Sequence, residues 1–85
     1  MKEFSYVITD PDGIHARPAG LLVKKAGKFT CSIKLNKNGK SADAKRIFAV
    51  MALAAKKDET VQVVTDGPDE EEAIAVLHDF FQNNF

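Results

Sequence analysis

Gly13-Ile14-His15-Ala16-Arg17-Pro18-Ala19-Gly20 sets where the first helix of this 85-residue chain begins. Proline lacks an N–H and its ring clashes with a preceding helical turn, so Pro18 belongs in the first turn. His15 is then the N-cap, and Ala16, Arg17 and Pro18 are the first three helical positions. The free N–H groups of Ala16 and Arg17 point out of the helix start, beside the imidazole. A helix start favours anions, and the Arg17 guanidinium is a fork matched to phosphate oxygens. A nucleophilic ring at the rim of an anion cradle suggests phosphate chemistry on histidine. Taken alone, the string favours a plain surface histidine at a cap; its setting decides.

Upstream, Phe4, Tyr6 and Ile8 alternate with Ser5, Val7 and Thr9, the period of a half-buried strand. Asp10-Pro11-Asp12-Gly13 is turn chemistry that delivers the chain to His15. Downstream, a helical pattern runs from Ala16 to about Lys28. Ala16, Ala19, Gly20, Val23, Ala26 and Gly27 form its small-residue stripe, Leu22 lies at the edge, and Lys24, Lys25 and Lys28 face water. Cys31, Ile33 and Leu35 alternate with polar residues, giving a second strand. Asn38-Gly39 is a strong hairpin signal, so a short third strand over Lys40 to Asp43 pairs antiparallel with the second.

Arg46 to Ala54 reads as a short helix with almost no polar side. Val50 and Leu53 are assigned to the core, and Ile47, Phe48 and Met51 to the surface, where an exposed apolar patch marks a partner site. Burial of that second face has a comparable weight from pattern alone. Thr60 to Thr65 is a fourth strand with Val61 and Val63 inward. Asp66-Gly67-Pro68-Asp69-Glu70-Glu71-Glu72 opens the last helix, with Pro68 in its first turn and acids at its positive end. That acidic run is helix-end electrostatics and not a metal site. Ala73, Ile74, Leu77, Phe80 and Phe81 make the helix's apolar stripe, and His78 faces outward.

At this length the whole chain, residues 1–85, is one domain with one core. The apolar share of 45% and charged share of 28% are those of an ordinary soluble protein. No apolar run reaches the roughly 20 residues of a membrane span. The N-terminus has no signal-peptide pattern, and the single Cys31 excludes an internal disulfide. A cytoplasmic protein without membrane insertion is the simplest expectation. The formal charge is zero, yet residues 1–57 carry all 12 Lys and Arg with four acids, and residues 58–85 carry eight acids with neither. A basic face near His15 suits acidic protein partners. A nucleic-acid partner is disfavoured, because the basic half lacks an interleaved aromatic platform.

The order β-α-β-β-α-β-α, with strands wet on one side only, predicts an α+β open-faced β-sandwich whose three helices share one face. GIHARPAG, then a helix and an NGK turn, resembles the phosphorylation segment of the HPr phosphocarriers of the bacterial sugar phosphotransferase system. The resemblance covers essentially the whole chain. It implies a four-stranded antiparallel sheet of order 1-4-2-3, and phosphorylation of His15 on Nδ1. It further implies stabilisation of the phosphoryl group by the Ala16 and Arg17 amides and the Arg17 side chain, and docking through Ile47, Phe48 and Met51. Its donor is enzyme I, charged by phosphoenolpyruvate, and its acceptors are sugar-specific enzyme IIA domains. The chain would act as a monomeric carrier without metal or cofactor of its own, and not as an enzyme by itself. A paralogous carrier in a nitrogen-related or regulatory phosphorelay is the alternative, and a binding module that passes no phosphate is a further class. Two positions depart from the family pattern. Arg46 replaces a usual serine, the target of a regulatory kinase in many Gram-positive members, and Ala54 replaces a usual glycine.

Overall fold

Strand alternation translates directly into a one-sided sheet. In a computed structural model covering all 85 residues, β1 (Lys2–Val7), β2 (Ser32–Lys37), β3 (Lys40–Asp43) and β4 (Thr60–Asp66) form one sheet of order β1-β4-β2-β3. Every pairing is antiparallel. The register puts Phe4 opposite Val63, Val63 opposite Leu35, and Leu35 opposite Ala42. One row of apolar side chains therefore crosses all four strands. Asn38 and Gly39, at φ +50° and +80°, close the β2–β3 hairpin as the Asn-Gly pair requires.

Three helices cover the apolar face: α1 (Ala16–Ala26), α2 (Ile47–Ala52) and α3 (Glu70–Asn84). Phe81 of α3 is fully buried and meets Phe4, Tyr6 and Phe85 edge-on at ring separations of 5.0–5.7 Å, a favoured aromatic geometry. Thr65, the one buried polar residue, donates its hydroxyl hydrogen to the Glu70 carbonyl at 3.0 Å. Cys31 is a core residue; burial, then the Asp69 carboxylate, pushes its thiol up to about 11.

Four local expectations need correction. The buried stripe of α1 is Pro18, Ala19, Leu22 and Ala26, while Ala16, Gly20 and Gly27 are exposed. Leu22 is central because α1 packs against α2 and α3 and needs bulk there. α1 ends at Ala26 and α2 spans only Ile47–Ala52, each shorter than its pattern. Pro68 lies before α3, whose N-cap is Asp69. The Asp69 carboxylate accepts from the Thr30 and Cys31 amides at 2.8 Å each, so the residue is committed to the start of β2 and the helix begins after it. Finally, Ile47 is half-buried and packs on the core, leaving Phe48 and Met51 as the exposed pair of α2.

Candidate functional site

The loop from β1 to α1 is fixed by distant backbone. The Thr9 and Asp10 amides donate to the Phe85 carbonyl at 2.6 and 2.8 Å, and the Thr9 hydroxyl donates to the same oxygen. Ile14 donates to the Ala55 carbonyl at 3.0 Å. Gly13 sits at φ +65°, where a Cβ would lie 2.2 Å from that carbonyl oxygen, so no other residue fits without moving the connection into β4. Within the loop, Gly13 donates to the Asp10 carbonyl and Asp12 to the Asp10 carboxylate, the latter at 2.8 Å. These contacts set the entry angle of α1.

His15 is the N-cap, extended at φ −110° and ψ 177°, and its ring makes no capping hydrogen bond. The Ala16 and Arg17 amides find no acceptor within the chain, as first-turn donors generally do not. His15, Arg17, Pro18, Leu21, Asp10 and Asn84 line a shallow depression of about 180 Å³. The imidazole is 41% exposed, open enough for a protein-bound phosphoryl group to reach. His15, Ala16 and Arg17 thus stand together as the sequence indicates. His78 lies elsewhere, on the outer face of α3, with its ring edge-on to Phe4 at 4.8 Å.

Sequence reading missed the acids beside the ring. Asp10 Oδ2 lies 3.7 Å from His15 Nε2, and ligating atoms of Asp10, Asp12 and His15 all fall within 4.8 Å of one another. The available signal was Asp-x-Asp-Gly-x-His itself, read only as turn chemistry. All three proposed docking residues lie on α2, but only two stay at the surface: Phe48 is 84% exposed and Met51 40%, whereas Ile47 is half-buried. Arg46, the N-cap of α2, makes no side-chain cap and reaches Asp43 at 3.7 Å.

Residues 2–83 match the protein-family model described as the PTS HPr component phosphorylation site. The phosphocarrier protein HPr of Cupriavidus necator is 45% identical over 73 residues, covering 86% of this chain and 82% of that protein. The histidine-containing phosphocarrier protein of a Mycoplasma is 38% identical and has a TM-score of 0.94, over 96% of this chain and 93% of that one. HPr of Thermoanaerobacter tengcongensis is 40% identical with a TM-score of 0.92, over 98% and 93% of the two chains; a dimeric form of it matches at 0.78. With a family model that spans residues 2–83 and a curated relative 45% identical over most of both chains, the chain belongs to the HPr family of phosphotransferase-system phosphocarriers.

Proposed function

We propose that the chain accepts a phosphoryl group on His15 from enzyme I, ultimately from phosphoenolpyruvate, and hands it to sugar-specific enzyme IIA domains. The observation that carries this reading is His15 at the N-cap of α1, beside two amides without acceptors and the Arg17 side chain. The neutral ring attacks phosphorus through Nδ1, and the donor departs with the electron pair of the bond that breaks. The Ala16 and Arg17 amides, the helix start and the guanidinium offset the charge of the transferred group, so the protein contributes positioning and electrostatics. The phosphoramidate formed on the ring is itself a good phosphoryl donor, so the second transfer needs no further activation.

Docking runs through the exposed pair Phe48 and Met51, with Leu21, 49% exposed, inside the His15 depression itself. Partners approach a monomeric, cytoplasmic carrier on this side. No helix is long and apolar enough to cross a membrane. The test is incubation with phosphoenolpyruvate, magnesium and a bacterial enzyme I, followed by mass measurement before and after acid treatment. The expected result is a gain of one phosphate that acid removes and that His15→Ala abolishes while His78→Ala does not. Uptake by the His15→Ala protein would overturn the assignment.

A further inference from the structure

An imidazole has two ring nitrogens, and the one that attacks must be free of its proton. Which nitrogen that is depends on the hydrogen-bond partner of the other. Asp10 supplies such a partner here. Its Oδ2 lies 3.7 Å from Nε2 of His15, within ion-pair range and one small side-chain adjustment from a hydrogen bond; such contacts commonly tighten when substrate binds. The carboxylate is also held in place. Its Oδ1 accepts from the Asp12 amide at 2.8 Å, its own amide donates to Phe85 O at 2.8 Å, and its carbonyl accepts from Gly13 at 2.9 Å. Asp10 is therefore fixed through both of its backbone polar groups and one carboxylate oxygen, leaving the other oxygen for the ring. Its exposure of 29% is lower than that of the imidazole it faces.

We infer that Asp10 is a positioning residue that retains the proton of His15 on Nε2 and so presents Nδ1 as the nucleophile. The inference rests on His15 being the phosphorylated residue. In the transfer, the Nδ1–P bond forms, the bond from phosphorus to the donor breaks with its electron pair leaving on the donor, and the Nε2 proton stays on the ring. The phosphorylated ring then carries positive charge, which the Asp10 carboxylate balances from the side away from phosphorus. Arg17 lines the same depression and serves the phosphoryl oxygens, whereas Asp10 serves Nε2 of the ring. Asp12 is the other acid near the ring; its amide serves to fix Asp10.

The experiment observes the ring before any transfer. In the ¹⁵N-labelled, unphosphorylated chain at about pH 8.5, above the ordinary histidine range near 6.5, two-bond proton–nitrogen spectra distinguish the tautomers. The parent should show His15 protonated on Nε2. Asp10→Ala should move population to the Nδ1-protonated form and slow uptake from the phosphorylated donor about threefold, the scale of a partly exposed ion pair. Asp10→Asn keeps an acceptor for the Asp12 amide, so the loop persists while the charge is removed, and its tautomer ratio should fall between the two. His78 is the internal reference and should not change. A His15 tautomer ratio identical in the parent, Asp10→Asn and Asp10→Ala overturns the inference. If no donor phosphorylates the parent, the carrier reading fails instead, and the tautomer result still stands or falls separately.

Discussion

Arg17 enters the site by two routes at once, since its side chain lines the His15 depression and its amide has no acceptor within the chain. Removing the side chain leaves the amide in place. Arg17→Ala should therefore slow phosphoryl transfer about 10- to 150-fold, corresponding to about 1.5–3 kcal/mol for a charge-assisted hydrogen bond. Its position is exposed, so the thermal midpoint should barely move. Stopped transfer assays and a melting curve on the same preparation check both halves; a normal rate would show that the backbone amides suffice. His15, Ala16 and Arg17 were legible in the sequence because one proline fixes the helix phase and all three are local. Asp10 was not, because its carboxylate meets the ring only after the loop is bent at Gly13 and tied to Ala55 and Phe85. Lys37 is a similar case. It reads as a hairpin lysine, yet only 10% of its side chain is exposed, and it donates to the Ala54 carbonyl at 3.0 Å and to Glu59 at 3.2 Å.

α2 ends against its own sequence. Ala54, directly after the C-cap Leu53, is left-handed at φ +54°. Glycine adopts that conformation freely, whereas an alanine Cβ is crowded by the carbonyl that follows. An alanine at this position thus holds strain at the end of α2. Ala54→Gly should raise stability by about 0.5–1 kcal/mol, because relief of strain exceeds the entropy added to the unfolded chain. Urea denaturation checks it; a lower midpoint would mean that the turn is unstrained. The strands were legible throughout, since alternation and one Asn-Gly fix their number and inward faces, and β3 matches to the residue. Helix limits were less so. Apolar periodicity continues past Ala26 and Ala52, but the chain must turn there to reach β2 and β4, and Pro68 is excluded from α3 by the commitment of Asp69 to β2.

Across the whole molecule the charge division of the sequence survives only in part. Lys24, Lys25 and Lys28 of the α1 region, with Leu21, Phe80 and Asn84, line a groove against α3. Lys25 and Lys28 also face Asp69 and Glu72 across a second hollow, and Lys2 and Lys37 pair with Glu71 and Glu59. The apolar patch is clearer. Phe48→Asp places an acid in the first turn of α2 at an exposed site, so stability should change by no more than about 0.5 kcal/mol. Donor affinity should fall about tenfold or more, as for an aromatic anchor, and titration calorimetry reads it. Acid stability is the last property fixed at this scale, through the Asp69 link between α3 and β2. The Thr30 amide, foremost among its contacts, holds the Asp69 carboxyl down at about 2 from an ordinary 3.8. A folded-state value below the unfolded one gives stability that is complete above the unfolded value and is lost as pH falls through the folded one. Glu59 and Glu70 are also held low, by the Lys56 amide and by the N-terminal ammonium respectively, so the parent as a whole should weaken below about pH 4.5. To isolate Asp69, the parent is compared with Asp69→Asn, which has one oxygen for two amides. Their difference in urea midpoint should be full at pH 7 and should shrink steadily between about pH 4 and pH 2 as the parent's carboxylate is protonated. A gap that persists undiminished at pH 2 would show that the geometry of the link matters and its charge does not.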